Sequence, residues 1–195
     1  AGEYRDSDTG NHVLRMARFS RLVAEGMGLD ENRCSLIEMA APMHDIGKIG
    51  IPDNILLKPG KLNREELSIM KTHTSIGYHI LKNSNSKYIN LGSEIALSHH
   101  ERYDGSGYPN GLQGKAIPLD ARIVAVADVY DALTSERPYK KVWSNDDALE
   151  YLNSNKGKHF DPTCVDAFMQ QFGKISLIQQ QLQDVAPTQK SQVWQ

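Results

Sequence analysis

A histidine or an aspartate recurs about every thirty residues along this chain, each time in or beside a segment with helical periodicity. The recurring residues are His12, His44, His73, His99 and Asp128. Helices packed side by side can each point one such side chain at a common centre. The recurrence therefore predicts a helical bundle built around a shared site.

Most of the sequence is typical of helices separated by loops rich in glycine and proline. We expect helices at 11–27, 30–43, 64–81, 89–100, 121–133, 147–153, 162–172 and 175–182. Segment 121–133 is almost wholly apolar, and its β-branched residues would also suit a buried strand. Its length and its helical surroundings favour a buried helix. The prediction is one all-α domain, with residues 1–172 as its body and the polar, glutamine-rich residues 173–195 as an extension.

Local signals mark several helix starts and two long loops. Asn63 followed by Glu66 is close to a capping box, and Asp161-Pro162 is typical of an N-cap with a first-turn proline. Residues 46–62 contain enough breakers to predict an ordered loop. A second loop at 101–118 has four glycines and two prolines, and loops of this length inside compact domains tend to be functional.

Composition excludes several classes of protein. The 195 residues carry a net charge of −2, which argues against bulk binding of nucleic acid or of an anionic membrane. There is no signal peptide and no apolar run long enough to span a bilayer. Cys34 and Cys164 show no CxxC pattern, so we expect two reduced structural thiols and a cytoplasmic protein. The abrupt start AGEYRD is typical of a piece of a longer protein, with a sensor or receiver domain preceding it.

The candidate ligands combine imidazoles with carboxylates. They are Asp8, His12, His44, Asp45, His73, His99, His100 and Asp128. This donor set suits borderline divalent metals such as iron, manganese, zinc, cobalt or nickel, and the lack of thiolates argues against a structural zinc site. Single members are weak signals, since a lone histidine such as His12 is more often a surface or core residue. Asp128 is stronger, because an unpaired carboxylate buried in IVAVADVY would be very costly.

These residues also carry a resemblance. His12, the His44-Asp45 pair and Asp128 resemble the H…HD…D signature of the HD phosphohydrolase superfamily. His73, the His99-His100 pair and the segments HDIGKIGIPDNILLKPG, HHERYDGSGYP and GKHFDP resemble its HD-GYP subfamily in particular. The resemblance covers about residues 5–172. It implies an HD-domain helical bundle that hydrolyses the bacterial second messenger cyclic di-GMP through pGpG toward GMP.

The resemblance also implies how the ligands divide. Asp45 would bridge two divalent metal ions, and the resemblance favours iron or manganese. His12, His44 and Asp128 would complete one site, and the other would be completed by His73, His99 and His100. Asp8 stands in DTG where some family members carry a glutamate associated with a third metal. Because aspartate is shorter by one methylene, we expect two ions, with a third bound more weakly.

Other residues are candidates for binding substrate. Lys48 is either an ordinary loop lysine or a residue that orients the attacking water or stabilises phosphate, and the resemblance supports the second reading. Arg137 and Lys140 could hold the phosphate that the metals do not. Tyr108 could contact substrate through its ring or its hydroxyl. In similar proteins the GYP region is proposed to contact diguanylate cyclase (GGDEF) domains, and the alternative is a loop that only supports the metal pocket.

Three functions remain open at this point. The first is a metal-dependent cyclic di-GMP phosphodiesterase. The second is a catalytically weak HD-GYP module that binds cyclic di-GMP or a GGDEF partner and signals by contact. The third is a general HD-superfamily nucleotide phosphohydrolase. The nearly complete ligand set favours catalysis, and the His73, His99-His100 and GYP residues argue against the third.

Overall fold

The computed structural model describes residues 10–135 and 142–183, and these two ranges form helices and loops without a β-strand. The α-helices of these ranges are α1 (Gly10–Gly26), α2 (Glu31–Ala40), α3 (Asp53–Leu56), α4 (Arg64–Lys71), α5 (His73–Leu81), α6 (Lys87–Ser98), α7 (Leu119–Thr134), α8 (Asn145–Ser154), α9 (Pro162–Gln170) and α10 (Phe172–Gln181). Short 3₁₀ helices span Ala41–Met43, Ile46–Gly50 and Gly114–Ala116. The all-α prediction is confirmed.

The apolar segment that could have been a strand is the central helix, α7. It packs against α1, α6, α8 and α9, so it is covered on most sides. Tyr130 of α7 is fully buried, with its ring 4.8 Å from that of Phe168 and 5.9 Å from that of Phe19. A helix that is apolar around most of its circumference belongs in the core of a bundle, which explains the lack of a polar face in the sequence.

The helix expected at 64–81 is two helices, α4 and α5, with a break at Thr72. The Thr72 hydroxyl donates a hydrogen bond to the Ile69 carbonyl at 2.6 Å, and His73 Nδ1 lies 2.8 Å from the Met70 carbonyl oxygen. Side chains that bond to carbonyls of the preceding turn commonly bend a helix. The break makes His73 the first residue of α5, where it is buried.

The region expected to be an ordered loop at 46–62 contains regular structure, which corrects that expectation. The 3₁₀ helix Ile46–Gly50 follows Asp45 directly, and α3 begins after Pro52. Ile51 and Ile55 are buried, at 2% and 5% exposed. Their burial stabilises short helices that the density of glycine and proline disfavours locally.

The expected helix caps are present. Asn63 and Glu66 form a reciprocal capping box, with N–H to side-chain oxygen distances of 2.8 and 2.9 Å. Asp161 caps α9 as predicted, and Ser144 caps α8. Because a cap is made within three residues of the helix start, local sequence is enough to predict it.

The remaining expectations concern the chain ends and the cysteines. The helix expected to end at Phe172 ends at Gln170, and α10 follows after one residue. Cys34 and Cys164 are both buried and free. In the described ranges, no helix combines the length and the apolar character needed to cross a membrane.

Candidate metal centre

Seven histidine and aspartate side chains converge in two groups. Asp45, His73, His99 and His100 each offer one ligand atom, and these atoms all lie within 4.8 Å of one another. The same holds for His12, His44 and Asp128. The two groups are the sets that the family resemblance implies, and they draw on α1, α5, α6, α7 and the segment after α2. Asp8 lies outside the described residues.

The four most deeply buried imidazoles are each held at Nδ1. His44 Nδ1 lies 3.0 Å from the Ala41 carbonyl oxygen, and His99 Nδ1 lies 3.1 and 3.2 Å from those of Ile95 and Ala96. His73 Nδ1 is held by a carbonyl in the same way. A carbonyl can only accept, so these contacts place a proton on Nδ1 and direct Nε2 into the centre, where it can bind a metal ion once it carries no proton.

His12 is held by a carboxylate instead. Its Nδ1 lies 2.7 Å from Asp131 Oδ2, and both side chains are buried. Carboxylate, imidazole and metal form a recurrent triad in which the outer carboxylate fixes the orientation of the ring. Asp131 lies on α7 three residues beyond Asp128, and this contact is the one that an orienting role requires.

Asp45 lies between the two groups. Its Oδ1 lies 3.2 Å from His73 Nε2 and 3.5 Å from His99 Nε2. Its Oδ2 lies 3.3 Å from His44 Nε2 and 2.7 Å from Lys48 Nζ. One carboxylate oxygen therefore faces each group, which is the arrangement a bridging ligand needs.

The approach of Asp45 to His73 depends on Gly47. A Cβ added to Gly47 would stand 1.8 Å from the His73 carbonyl oxygen and 2.5 Å from the Gly77 nitrogen. Only glycine allows the 3₁₀ helix after Asp45 to lie so close to α5. Gly47 is one of the glycines that suggested a loop, but its role is to let the 3₁₀ helix pack against α5 beside the centre.

The electrostatics of the centre are dominated by the Asp45 carboxylate. Burial raises the pKa of Asp45. The charges of His44 and Lys48 lower it by a larger amount, so the pKa lies well below the ordinary value of an aspartate. Burial lowers the pKa of His44, yet Asp45 raises it to about 9. The pKa values of His99 and His100 lie below the ordinary value, chiefly because of burial. His99 and His100 are thus neutral, while an ion bound at His44 must displace a proton.

Buried atoms of this centre lack the partners that buried polar groups normally have. Among the described residues, these include His44 Nε2, His73 Nε2, His99 Nε2 and Asp45 Oδ1. An unsatisfied buried polar atom costs about 1–3 kcal/mol, so several in one place call for a ligand. Lone pairs of imidazole and carboxylate fit a divalent transition metal, and the residues therefore suit such an ion.

Asp128 differs from its expectation in one respect. It lies on α7, but its side chain is 19% exposed, and its Oδ1 is 3.9 Å from His44 Nε2. The apolar residues around it in sequence face the core, whereas Asp128 faces the centre. The expected cost of burying this carboxylate is therefore smaller than its sequence context suggested.

The adjacent histidines His99 and His100 lie at the end of α6. His99 is the C-cap residue of that helix, and His100 follows in the turn. Their ring centroids are 4.0 Å apart, so both rings reach the same group. Leaving the helix at this point allows two neighbouring side chains to point in one direction, which a continuous helix would not.

The loop after His100 is anchored by Glu101, a residue that sequence reasoning missed. Glu101 is 3% exposed, and its two carboxylate oxygens accept hydrogen bonds from the N–H groups of Asn110 and Leu112 at 2.7 and 3.0 Å. A Cβ on Gly107 would stand 2.3 Å from the Arg102 nitrogen, so the returning loop packs on backbone. The signal available in the sequence was an acidic residue just before a loop rich in unpaired N–H groups.

This anchoring places Tyr108 against the centre. Its ring stacks on that of His100 with centroids 4.8 Å apart and planes 24° apart. Lys71 Nζ lies 4.9 Å from the Tyr108 ring centroid. Tyr108 is therefore at the edge of the metal centre, where a bound molecule could reach it.

The remaining candidates are spread more widely. Arg102 Nε lies 3.7 Å from Asp104 Oδ1, and both residues belong to the loop that follows His100. His79 is exposed on α5, and His159 stacks on Phe160 with ring centroids 4.1 Å apart. Arg137 and Lys140 lie outside the described residues.

Comparison with known proteins identifies related chains. Cyclic di-GMP phosphodiesterase response regulator RpfG of Xanthomonas campestris is 59% identical over 167 residues, which cover 86% of this chain and 44% of that protein. A cyclic di-GMP phosphodiesterase of Thermotoga maritima is 53% identical over 167 residues, covering 86% and 45%. The chain thus spans less than half the length of these two relatives.

A solved structure and a family model give the same assignment at the level of the fold. The crystal structure of a cyclic GMP-AMP specific phosphodiesterase of Vibrio cholerae superposes with a TM-score of 0.63 at 19% identity, covering 89% of this chain and 46% of that one. The sequence model of the HD domain family matches residues 4–164. The chain therefore belongs to the HD domain family, as its HD-GYP motifs predicted.

Proposed function

We propose that this chain hydrolyses cyclic di-GMP at a centre of two divalent metal ions, giving pGpG and then GMP. The observation that carries the proposal is Asp45, whose two oxygens face two different groups of potential ligands. Two relatives that are more than half identical are named cyclic di-GMP phosphodiesterases, which supports the choice of substrate.

The ligand roles follow the two groups. Asp45 is the proposed bridging carboxylate. His12, His44 and Asp128 are the proposed ligands of one ion, while His73, His99 and His100 are proposed for the other. Asp8 remains a proposed ligand of a third, weaker site. The imidazole and carboxylate donors support iron or manganese, although other first-row metals can occupy such sites.

The chemistry divides between the ions and the side chains. When bound by these residues, two such ions would supply an activated water and neutralise charge on the phosphoryl oxygens. Lys48, whose Nζ is 2.7 Å from Asp45 Oδ2, keeps a positive charge beside the place where the phosphate would bind. A positioned cation stabilises the negative charge that develops in the transition state. Tyr108 is the proposed substrate contact at the edge of the centre, and Arg137 and Lys140 are proposed to bind the second phosphate.

The family resemblance supports three further proposals. Residues 1–172 would form the catalytic unit, with 173–195 as an extension of the same domain. The protein would act in the cytoplasm under the control of a sensor or receiver domain. The loop anchored by Glu101 would contact a GGDEF domain, which binding of a purified GGDEF domain to wild-type chain and to a Glu101→Ala variant would test.

The decisive experiment combines metal analysis with a time course. We expect the protein purified without oxygen to hold about two ions per chain and to convert cyclic di-GMP to pGpG and then GMP. An assay with 3′3′-cyclic GMP-AMP in parallel would test the choice of nucleotide. Less than one ion per chain, with no turnover after addition of Mn²⁺ or Fe²⁺, would sink the proposal.

A matched pair of variants on α5 tests the ligand assignment. His73→Ala should lose one ion and nearly all turnover, because His73 Nε2 faces the centre. His79→Ala changes an exposed histidine of the same helix and should keep both ions and the wild-type rate. His44→Ala should also lose one ion and nearly all turnover, and Asp45→Ala should weaken both ions and abolish turnover, because Asp45 is the proposed bridge. Wild-type turnover in any of these three would refute its assignment.

A further inference from the structure

Arg15 connects the metal centre to the C-terminal end of the described chain. It lies on α1, three residues beyond His12, and its side chain is only 3% exposed. Its Nε donates to Asp131 Oδ1 at 2.5 Å, and its Nη2 donates to Asp131 Oδ2 at 3.0 Å. Its Nη1 donates to the carbonyl oxygen of Leu182 at 2.6 Å. One guanidinium thus joins α1, α7 and the residue that ends α10.

The carboxylate that Arg15 holds is the one that orients His12. Asp131 Oδ2 receives Nη2 of Arg15 and also faces His12 Nδ1 at 2.7 Å. The two bonds from Arg15 fix the plane of this carboxylate, because a guanidinium and a carboxylate match in geometry. The orientation of the His12 ring therefore depends on Arg15, two side chains away.

The end of α10 is in turn held by α1. The last carbonyls of a helix have no partner within the helix and need one from elsewhere. Arg15 donates to the Leu182 carbonyl, and Asn11 Nδ2 donates to the Gln183 carbonyl at 3.0 Å. Earlier in α10, Ile175 is fully buried, and the Tyr130 hydroxyl of α7 lies 3.3 Å from Gln179 Oε1. Helix α10 is thus held against α1 and α7, the helices that carry His12 and Asp131.

We infer that α10 is a positioning element of the metal centre, which acts through the Leu182 carbonyl, Arg15 and Asp131 on the metal-binding nitrogen of His12. The inference rests on the proposed role of His12 as a metal ligand. The Leu182 carbonyl accepts a charge-assisted hydrogen bond from Arg15 Nη1 and so fixes the plane of the guanidinium. In that plane Nε and Nη2 each donate to one oxygen of Asp131. Without that bond the guanidinium keeps its contacts with Asp131 and with the Ser135 hydroxyl, to which Nη2 donates at 2.9 Å, but it loses the contact that fixes the direction of Nη1.

The size of the effect follows from other metal sites. Removing a group that orients a ligand typically lowers metal affinity by about 10–100-fold. The loss should fall on the ion held by His12, His44 and Asp128. The other ion, near His73, His99 and His100, should keep its affinity, because none of these side chains contacts Asp131 among the described residues.

The test compares two shortened chains with substitutions in the full chain. A chain ending at Gln180 lacks both carbonyls that α1 binds, and a chain ending at Ala186 keeps them. We expect the first to bind one of its two Mn²⁺ ions at least about 10-fold more weakly in a competition titration with a chelator. The second should match the full chain. Arg15→Ala should weaken the same ion, and Arg15→Lys should restore part of the loss.

Leu152→Ala on α8 separates positioning from general stability, because Leu152 is fully buried and lies on neither α1 nor α10. It should lower the urea midpoint of unfolding while leaving the Mn²⁺ affinity of the folded protein unchanged. A second readout needs no metal: the ¹⁵N shifts of the His12 ring should report a proton on Nδ1 in the full chain and a mixture of tautomers in Arg15→Ala.

The outcomes are distinguishable. Unchanged Mn²⁺ affinity in both the Gln180-ending chain and Arg15→Ala would overturn the inference. An equal loss in Leu152→Ala would also overturn it, because the effect would then be one of stability. A full chain that binds no Mn²⁺ would instead refute the proposed function, and the positioning role with it.

Discussion

Four imidazoles at the centre each have Nδ1 held by a protein group and Nε2 directed inward. His44, His73 and His99 are held by carbonyls of their own preceding turn, and His12 by Asp131. These carbonyls lie three or four residues before each histidine, so no distant part of the chain is needed to orient the ring. His12 is different, since its orientation depends on a residue 119 positions away.

His159 offers a test of acid stability at the level of one residue. Burial lowers its pKa to about 4, and the charge of Arg102 acts in the same direction. In the unfolded chain its pKa is about 6.5, so between pH 6.5 and 4 the unfolded state binds more protons and stability falls as the pH falls. The wild-type chain should lose up to about 2 kcal/mol more than His159→Phe between pH 7 and pH 5.

Urea unfolding of the metal-free proteins at both pH values measures this difference. Phenylalanine keeps the stacking on Phe160 and removes the titrating group, so stability at pH 7 should change little. Equal losses in the two proteins would contradict the assignment of a depressed pKa to His159.

At the scale of the element, the contact between the 3₁₀ helix Ile46–Gly50 and α5 sets the distance between Asp45 and His73. The contact is possible because Gly47 and Gly77 have no side chain, so the two backbones can pack directly against each other. The break at Thr72 then starts α5 with His73 directed into the centre. The pairing of Asp45 with His73 therefore depends on two glycines and a helix break.

Gly47→Ala should disrupt this contact. The added Cβ would stand 1.8 Å from the His73 carbonyl oxygen, so the 3₁₀ helix must move away from α5. We expect a loss of about 3 kcal/mol or more of unfolding free energy, at the upper end for overpacking, together with weaker metal binding. Chemical denaturation and metal titration measure the two effects.

Gly173→Ala is the matched control. Gly173 lies in α10, and its added Cβ would meet nothing within 4 Å. Because alanine is a better helix former than glycine, this variant should gain about 0.5–1 kcal/mol. Similar stability of the two variants would contradict the claim that the 3₁₀ helix needs glycine at position 47 to pack against α5.

At the scale of the whole molecule, the proposed centre draws its ligands from helices that are far apart in sequence. The side chains come from α1, from the segment after α2, from the start of α5, from the end of α6 and from α7. An ion bound to such a set binds the folded chain and not the unfolded one. Metal binding should therefore act as a cross-link that stabilises the entire bundle.

Metal should raise the stability of the chain, and the gain should depend on pH. Free Mn²⁺ at 100 times its dissociation constant should add about 2.7 kcal/mol for one site. At fixed Mn²⁺ the gain should fall as the pH falls below about 9, because the pKa of His44 is raised to about 9 and its proton competes with the ion. Thermal unfolding with and without Mn²⁺ at pH 8.5 and pH 6.5 measures this. A gain that is the same at both pH values would contradict it.

Much of the fold follows from local sequence. The caps at Asn63, Ser144 and Asp161 lie within three residues of the N–H groups that they satisfy, and α7 could be predicted from its apolar length. The break at Thr72 and the helices within 46–62 could not, since they depend on side-chain bonding to carbonyls and on burial of Ile51 and Ile55.

The pool of histidines and aspartates, the family and most of the helices that carry these residues can be predicted from the sequence alone. Three features needed the folded chain: Asp45 turns one oxygen to each group, Glu101 anchors the glycine-rich loop, and Arg15 donates to a carbonyl 167 residues away. The difference lies in the sequence distance over which the interactions act. Periodicity and caps act over one or two turns, whereas the direction of a buried polar side chain is set by partners that only packing brings near.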